Sequence, residues 1–320
     1  MDGLRQLGST PLRVTPIGFG CWPIAGVSSL GVTEEASVAT LHAALECGIN
    51  FFDTAYAYGY DGEADRLLVR AGIPKREGVV IASKVGQYFD ARRVRHIDGR
   101  PPTLLRHAQQ VLRRLGVSAV DIMYLHQPDP HVPLAESAGA IAEIVRRGMA
   151  RYGGVSNVDA EQLRQFVRHC PQTIVVQPPF NMLQQRCLHE LQPVCQEKRI
   201  SVVGYWVLMK GLLAGKLPRD HRFDPRDKRL TYPIFQGEAW QRAQDLLDRL
   251  REIAADLGCT VAQLVVAWTI AHPGVSVALC GAKRPEQIRE TAAAMRLHVA
   301  PEILQEITLL ADRFRNYFEF

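Results

Sequence analysis

Eight short apolar runs alternate with helical segments along this chain, and that alternation restricts the possible fold more than any other feature. Most residues of each run are apolar or glycine, which is typical of a strand that is buried on both faces. Eight strand–helix units predict an α/β fold, a (β/α)8 (TIM) barrel that forms a single domain over residues 1–320. The runs occupy residues 17–20, 49–52, 78–83, 120–125, 151–155, 173–176, 200–204 and 275–279.

Two further elements are predicted outside the eight units. The segments Leu4 to Leu7 and Leu12 to Val14 flank the turn formers Gly8-Ser9-Thr10-Pro11. This pattern predicts a short N-terminal hairpin, which would close the bottom of the barrel. Residues 301–314 begin with a proline and continue with helical spacing, so an extra C-terminal helix is expected.

An open, doubly wound sheet is the rival architecture, and the glycine motifs do not support it. Gly18 and Gly20 are followed by Pro23 where a dinucleotide fingerprint requires glycine. The run from Gly211 to Lys216 has three residues between its glycines, whereas a P-loop requires four and then Ser or Thr after the lysine. The barrel is therefore the predicted fold.

The composition of the chain limits the classes of binding partner that are expected. The chain has 320 residues, a net charge of +5 and a pI near 8.9, which permits attraction to anionic ligands. Its basic residues are scattered and do not alternate with aromatic residues, so no nucleic-acid partner is expected. No run of about 18 apolar residues occurs, so no membrane span is expected. The absence of a coiled coil or an obvious apolar face favours a monomer and leaves the oligomeric state open.

The number and spacing of the cysteines indicate the cellular compartment in which the protein is expected. There are seven, an odd number, and they are widely spaced without a C-x-x-C pair. This pattern predicts neither a disulfide framework nor a metal site, and free cysteines in apolar contexts behave as small hydrophobes. A cytoplasmic location and no bound metal are therefore expected.

Polar residues stand where the predicted strands end. The carboxyl ends of barrel strands meet at one mouth, where such enzymes keep their active sites. Asp53 alone could cap a turn, and Lys84 alone could extend to solvent at the rim. Because they end adjacent strands, an ion pair between them is the better prediction. The strand-end residues are Asp53, Lys84, His126, Ser156, Asn157, Gln177, Tyr205 and Gly281, and Tyr58 follows Asp53 by five residues.

Several motifs occur in the order found in one known family. They are Phe-Asp-Thr-Ala-Tyr-Ala-Tyr-Gly at 52–59, Lys84, Tyr-Leu-His at 124–126, Gly-Val-Ser-Asn at 154–157 and Gly-Ala-Lys-Arg-Pro-Glu-Gln at 281–287. The chain resembles the aldo-keto reductases nearly from end to end. Gly-Leu-Leu-Ala-Gly-Lys at 211–216 is similar to a loop of the bacterial general-stress and inositol-operon-linked branch. The resemblance implies NADPH-dependent, reversible reduction of aldehyde or ketone carbonyls to alcohols.

The resemblance implies catalytic roles for four residues. Tyr58 would be the general acid that protonates the carbonyl oxygen of the substrate. A free phenol has a pKa of about 10, and the Lys84 ammonium would lower the pKa of Tyr58 because it favours the phenolate. Asp53 would hold Lys84 in place. His126 would donate a hydrogen bond to the carbonyl, and it is expected to be neutral because Lys84 is close.

The resemblance also implies a site for NADPH or NADP+. Ser156, Asn157 and Gln177 would hydrogen-bond the nicotinamide carboxamide, and Tyr205 would stack on the nicotinamide ring. The other residues expected near this half of the cofactor, or along the loop that covers it, are Gly20, Trp22, Asp53, Trp206, Leu208, Gly211 and Leu213.

The adenosine half of the cofactor would lie beside the last strand and the long loop before it. Lys216 and Arg229 on the loop would fold over the pyrophosphate. Lys283 and Arg284, beside Gly281, would meet the 2′-phosphate, which favours NADPH over NADH. Gln287 and Glu290 would reach the adenine.

A ring of side chains on the strand–helix loops is expected to form the substrate pocket. An aromatic rim suits medium-sized aldehydes or ketones, but the sequence does not identify the substrate. Trp206 and the following Val207 depart from the usual family pattern, in which a proline follows a small or aromatic residue. The predicted pocket residues are Trp22, Tyr56, Phe89, Gln127 and Trp206.

Two alternative functions stay open from the sequence. The chain could be an NADPH-binding regulatory or sensing subunit with little turnover. It could also be a barrel lyase that uses Lys84 as a Schiff-base amine. The intact set of Asp53, Tyr58, Lys84 and His126 favours the reductase.

Overall fold

A closed barrel of eight parallel strands forms the centre of the molecule. The computed structural model describes residues 3–315. The strands in chain order are β1 (Arg5–Gln6), β2 (Arg13–Val14), β3 (Ile17–Gly20), β4 (Phe51–Asp53), β5 (Val80–Val85), β6 (Gln87–Phe89), β7 (Arg95–Ile97), β8 (Val120–Leu125), β9 (Ala150–Ser156), β10 (Thr173–Gln177), β11 (Ser201–Gly204) and β12 (Val277–Cys280). The barrel order is β3-β4-β5-β8-β9-β10-β11-β12, and β12 pairs with β3 to close it. The predicted (β/α)8 barrel is confirmed.

Helices cover the outside of the barrel. They are α1 (Glu34–Glu46), α2 (Glu63–Arg70), α3 (Pro101–Leu115), α4 (Leu134–Arg146), α5 (Ala160–His169), α6 (Arg186–Lys198), α7 (Gly237–Asp256), α8 (Val261–Ala271), α9 (Pro285–Ala292) and α10 (Pro301–Arg315). Local signals set their ends. The Thr33 hydroxyl accepts a hydrogen bond from Ala36 N at the start of α1, and Gly116 adopts φ 65° after α3.

The N-terminal hairpin closes the bottom of the barrel, as predicted. β1 and β2 are antiparallel, and Leu7, Leu12 and Val14 join the apolar cluster inside the barrel. The Arg5 guanidinium donates to the carbonyls of Val275 and Ser276, which ties the hairpin to the start of β12. Among residues 3–315, the hairpin therefore forms a packed apolar plug at the bottom of the barrel.

Asp53 and Lys84 lie within β4 and β5, and not beyond the ends of these strands as predicted. The prediction that β4 ends at residue 52 and β5 at residue 83 was one to two residues short. Asp53 pairs with Ala82, and Lys84 pairs with Tyr124 in the parallel ladder. A ladder uses only backbone groups, so a polar side chain does not end it when that side chain has its own partner inside the barrel.

The region between β5 and α3 contains a second hairpin that the sequence analysis missed. β6 and β7 are antiparallel, with Gln87 opposite Ile97 and Phe89 opposite Arg95. Each strand has only three residues, and a charged turn at residues 90–94 separates them. Runs this short carry too little periodicity to be recognised as strands.

The long loop at residues 206–236 is anchored to the barrel. It contains three 3-10 segments, Met209–Ala214, Lys228–Thr231 and Pro233–Phe235. Leu212, Leu213 and Ile234 are fully buried, so the loop packs against the core and is not merely solvated.

No single helix within residues 3–315 is long and apolar enough to cross a membrane. The bent pair of α7 and α8 meets that criterion by length and composition alone, with an angle of 91° between the two helices.

The interior of the barrel depends on one glycine beside a large aromatic residue. Tyr124 is fully buried, and Gly154 is its neighbour on β9. A methyl group on Gly154 would lie 2.6 Å from Cδ1 of the Tyr124 ring. Because a contact that short is not tolerated, the barrel accepts only glycine at this position.

We predict opposite effects for the same substitution at two glycines. Gly154→Ala should lower the free energy of unfolding by about 1–3 kcal/mol, because the interior becomes overpacked. Gly139→Ala, on the exposed face of α4 with open space around it, should raise it by about 0.5–1 kcal/mol through helix propensity. Urea denaturation of both variants checks the signs, and equal effects would contradict the packing argument.

Candidate active site

A buried ion pair links β4 and β5 at the mouth of the barrel. Asp53 and Lys84 are each 1% exposed, and Lys84 Nζ donates a hydrogen bond to Asp53 Oδ1. Nζ also donates to the carbonyl of Thr54 at 3.0 Å and to the Tyr58 hydroxyl at 3.1 Å. The three donors of the ammonium are thus all used. Lys84 does not extend to solvent, and the predicted ion pair is present.

Burial opposes charge on both members of the pair. Burial raises the pKa of Asp53 and lowers the pKa of Lys84. The attraction between the two groups works against both shifts, and the amide of Gln177 also stabilises the carboxylate. The pair is therefore stable as a unit, and neither charge would be tolerated here alone.

The predicted lowering of the Tyr58 pKa is wrong for this structure. Burial raises the pKa of Tyr58 well above its usual value, and the negative charge of Asp53 raises it further. The physical reason is that Lys84 is already neutralised by Asp53, so the pair presents almost no net charge to the phenol. Tyr58 is therefore a protonated phenol whose hydroxyl is held by a lysine.

His126 lies on the other side of Tyr58. The two rings have centroids 5.9 Å apart, and the Trp22 ring contacts Tyr58 at 5.2 Å. Burial lowers the pKa of His126 well below its usual value, and the charge of Lys84 lowers it further. The imidazole is neutral, as expected. Its Nδ1 is buried and has no hydrogen-bond partner in the described part of the chain.

A chain of hydrogen bonds extends from the ion pair around the mouth. Gln177 Nε2 donates to Asp53 Oδ2 at 2.8 Å, and Ser156 Oγ donates to the Gln177 carbonyl at 2.7 Å. Asn157 Nδ2 donates to Ser156 Oγ and to the His126 carbonyl, and the Tyr205 hydroxyl donates to Asn157 Oδ1 at 2.7 Å. These strand ends are therefore brought together as the sequence predicted, in one connected network.

A second cluster of predicted residues lies where β12 leads into α9. Arg229 forms an ion pair with Asp227, and the charges of Asp227, Arg229 and Arg284 all act on Lys283. Burial lowers the pKa of Lys283, and Arg229 lowers it further. The cluster therefore holds three cations with one carboxylate, an arrangement that an added anion would stabilise.

Two other predicted adenosine-site residues have structural partners. The Gln287 side-chain oxygen accepts hydrogen bonds from the backbone N–H groups of Lys283 and Arg284, which caps α9. Glu290 forms an ion pair with Lys216, which fastens the long loop to α9. These contacts hold the loop and the helix start in a fixed relation.

The glycines at the mouth have different roles. A methyl group on Gly281 would lie 2.6 Å from Pro23 Cγ, so the close approach of the chain explains this glycine. A methyl group on Gly20 would make only ordinary van der Waals contacts, the nearest with Leu279 Cβ at 3.8 Å, so close approach of the chain does not explain this glycine. Gly211 adopts φ 91°, and Leu208 precedes the first 3-10 segment of the loop.

Four of the five predicted pocket residues lie near the mouth. Trp22 contacts Tyr58, and Trp206 lies beside Tyr205, with ring centroids 5.3 Å apart. Phe89 packs on Tyr60, and Gln127, which follows His126, accepts a hydrogen bond from Gln87.

Tyr56 is the exception among the predicted pocket residues. Its ring stacks on His107, with centroids 3.7 Å apart, and its hydroxyl donates to Gln110 of α3. It therefore contacts the helix layer, and we leave it out of the pocket. Tyr56 and Tyr58 lie in a turn and a bend after β4, where no regular alternation sets the side-chain directions, so the sequence could not tell them apart.

Comparison with known proteins decides the family. The model of the aldo/keto reductase family matches residues 16–312. The chain belongs to the aldo/keto reductase family. It is therefore an oxidoreductase of a family that uses nicotinamide cofactors.

The alignments with individual relatives extend over most of this reductase. It is 31% identical over 295 residues to the aldo-keto reductase YhdN of Bacillus subtilis, covering 88% of this chain and 86% of the relative. It is 28% identical over 310 residues to an NADH-specific methylglyoxal reductase of Escherichia coli, covering 92% and 94%. The glycerol dehydrogenase AKR11B4 from Gluconobacter oxydans superposes with a TM-score of 0.89 at 28% identity, covering 98% and 97%.

One buried acid behind the site was not anticipated from the sequence. Asp65 of α2 is fully buried, and the Thr54 hydroxyl donates to its Oδ1 at 2.8 Å. The Thr54 carbonyl in turn accepts from Lys84 Nζ. Burial raises the pKa of Asp65 from 3.8 to about 7, although the Thr54 hydrogen bond and Arg114 oppose the shift.

We predict that Asp65 makes the stability of this reductase fall as pH rises. The raised pKa means that the folded state keeps the proton of Asp65 longer than the unfolded state does. The contribution of Asp65 to the free energy of unfolding is full below pH 3.8 and is lost as pH rises to about 7. The slope is at most about 1.4 kcal/mol per pH unit. Urea denaturation of the parent and Asp65→Asn at pH 5, 6, 7 and 8 measures it.

The asparagine variant keeps an oxygen for the Thr54 hydroxyl but does not titrate. The difference in unfolding free energy, parent minus variant, should therefore decline from pH 5 to 7 and then level off. Parallel pH profiles of the two proteins would show that Asp65 ionises normally.

Proposed function

We propose that this aldo-keto reductase reduces the carbonyl group of small aldehydes or ketones with NADPH, using Tyr58 as the proton donor. One observation carries the proposal: the Tyr58 hydroxyl lies 3.1 Å from Lys84 Nζ, beside the neutral imidazole of His126. A positioned phenol and a neutral imidazole at one mouth can bind a carbonyl oxygen together. The substrate end of the site would be lined by Trp22, Phe89, Gln127 and Trp206.

The donor set fits a nicotinamide dinucleotide. Asn157 contacts the Tyr205 hydroxyl and Gln177 contacts Asp53, and both carry amide groups of the type that can hydrogen-bond a carboxamide while an aromatic ring stacks on the heterocycle. When bound, the reduced cofactor supplies the hydride that reaches the carbonyl carbon.

Each residue of the set has one task in the proposed reaction. Tyr58 gives its hydroxyl proton to the carbonyl oxygen as negative charge develops there. Lys84 then stabilises the phenolate that remains, through the hydrogen bond it already makes. Asp53 keeps Lys84 in place, and His126 orients the carbonyl. The raised pKa of Tyr58 in the resting site keeps the proton available until the substrate oxygen accepts it.

The cation cluster supports NADPH as the cofactor. Lys283, Arg284 and Arg229 lie together with Asp227 as the nearby carboxylate, so a 2′-phosphate would find an excess of positive charge. Its binding would also offset the shift that burial imposes on the pKa of Lys283. A relative that is 28% identical is named as NADH-specific, so the choice between the two cofactors needs direct measurement.

We predict that Tyr58→Phe abolishes most of the turnover and leaves cofactor binding intact. General acid catalysis contributes about 10²–10⁴-fold, so kcat should fall by at least a hundredfold. The phenyl ring keeps its contacts with Trp22 and His126, so the fold should survive. Steady-state kinetics with NADPH and a panel of aldehydes measures kcat, and tryptophan fluorescence titration measures cofactor affinity.

Tyr152→Phe is the matched control, because it also removes a tyrosine hydroxyl. Tyr152 lies near the start of β9, whereas Ser156 is the last residue of that strand. Its kcat should stay within about twofold of the parent value. A Tyr58→Phe enzyme that turns over at the parent rate would contradict the mechanism. Tight NADPH binding by a parent protein that reduces no carbonyl compound would instead favour a sensing subunit.

We predict that Lys283→Ala weakens NADPH selectively. Loss of one charge-assisted contact costs roughly 1.5–3 kcal/mol, so the Kd for NADPH should rise at least about tenfold. The Kd for NADH should stay nearly constant and is the internal control. The cap of α9 survives, because Lys283 contributes only its backbone N–H to Gln287. Equal losses for both cofactors would contradict the assignment to the 2′-phosphate.

A further inference from the structure

The β6–β7 hairpin has two faces that point in different directions. Tyr88 and His96 are cross-strand partners, and Tyr88 contacts His107 of α3, so this face packs on the helix layer. Gln87 and Phe89 lie on the other face, because side chains alternate along a strand. Gln87 bonds Gln127, next to His126, and Phe89 packs on Tyr60. This second face therefore borders the mouth of the barrel.

Arg95 belongs to the face that borders the mouth. It is the cross-strand partner of Phe89, and directly paired residues project to the same side of a sheet. Arg95 is exposed, and within residues 3–315 its guanidinium has no ion pair or hydrogen bond. The carboxylates of this region have other partners, since Asp90 pairs with His96 and Asp98 with Arg100.

The charge of Arg95 reaches the reacting groups. Burial dominates the pKa values of Tyr58, Tyr205 and His126, raising those of the two phenols and lowering that of the imidazole. Arg95 acts on all three groups, in each case toward a lower pKa. This agrees with the strand register, which places Arg95 on the face of the hairpin that borders the mouth.

The other arginines of the hairpin are placed differently. Arg93 lies over the Tyr60 ring, 4.5 Å from its centroid, and is engaged there. Arg92 is exposed in the turn, away from the paired positions. Arg95 is thus the cation of the hairpin that is both unpaired and directed at the site.

We propose that Arg95 is a specificity-determining residue that binds an anionic group, a carboxylate or a phosphate, on the substrate. The inference rests on the proposed reductase function and names the class of carbonyl compound that it would act on. Guanidinium presents paired N–H donors that match the oxygens of carboxylate or phosphate, so an arginine suits this role better than a lysine. A net charge of +5 adds a general attraction for anionic substrates.

The contact would act mainly on KM. The anionic group is remote from the carbonyl, and its charge does not change as hydride and proton are transferred. An interaction that is equal in the ground state and the transition state lowers KM and leaves kcat nearly constant. A change in KM at nearly constant kcat therefore distinguishes Arg95 from the residues that touch the reacting atoms.

The first test compares two aldehydes of matched shape. The probes are 4-carboxybenzaldehyde and its neutral methyl ester, assayed with the preferred nicotinamide cofactor. The parent enzyme should favour the carboxylate by about tenfold in kcat/KM, since one charge-assisted contact contributes about that factor. Arg95→Gln should lose this preference through a higher KM, while kinetics with the ester change less than about twofold.

Two further variants control for charge and geometry. Arg92→Gln removes the same charge from the same hairpin and should keep the preference for the carboxylate. Arg95→Lys should restore only part of it, because lysine keeps the charge without the paired donors. Loss of the preference in Arg92→Gln would show that only net charge matters, which would overturn the proposal.

A second pair of probes distinguishes carboxylate from phosphate. 4-Formylphenyl phosphate is compared with 4-methoxybenzaldehyde in the parent enzyme and in Arg95→Gln. The pair that shows the larger Arg95-dependent preference identifies the anionic group. Absence of an Arg95-dependent preference in both pairs would overturn the proposal and leave the reductase function standing.

A binding measurement tests the contact without turnover. The affinity of 4-(hydroxymethyl)benzoate, the alcohol product, is followed by the fluorescence of Trp22 and the other tryptophans in the cofactor-bound enzyme. The Kd should rise about tenfold in Arg95→Gln and stay constant in Arg92→Gln. If the parent enzyme reduces no aldehyde of either pair with either cofactor, the proposed function fails, and this inference fails with it.

Discussion

The buried ion pair of Asp53 and Lys84 is the interaction on which the site depends. Taking two charges out of water is costly, and the attraction offsets the cost only where every remaining donor and acceptor is satisfied. The barrel meets this condition. Lys84 donates to Asp53, Thr54 and Tyr58, and the second oxygen of Asp53 accepts from Gln177. Loss of one partner would leave an uncompensated buried charge, which typically costs about 3–5 kcal/mol.

The pair sets the state of the groups around it. Burial and the charge of Asp53 raise the pKa of Tyr58, so Tyr58 stays a phenol, and the hydrogen bond from Lys84 holds its hydroxyl in place. Burial and the nearby ammonium both lower the pKa of His126, so its imidazole stays neutral. A protonated phenol beside a neutral imidazole is the arrangement that the proposed carbonyl reduction would use. The same pair, through Gln177, fixes the row of side chains that ends at Tyr205.

The strands hold Asp53 and Lys84, and Lys84 positions Tyr58 on the loop that follows β4, whereas other loops and a hairpin carry the groups that would choose ligands. At one end of the mouth, the cation cluster around Lys283 is tied to the long loop by the ion pair between Lys216 and Glu290. At the other end, Arg95 stands on a two-stranded hairpin that rests on α3. Each end therefore presents positive charge, and the proposed anionic groups of cofactor and substrate would approach from opposite sides of one neutral centre.

The sequence by itself determined the barrel and most of its site. Eight doubly buried strands with helices between them leave few architectures, and polar residues at their carboxyl ends must then meet at one mouth. The direction of Tyr56, the raised pKa of Tyr58 and the β6–β7 hairpin with Arg95 were decided by the tertiary structure. A side chain's direction in a loop, the net charge that a neighbouring pair presents and the pairing of three-residue strands all depend on contacts between segments that are distant in the chain, and no local pattern encodes them.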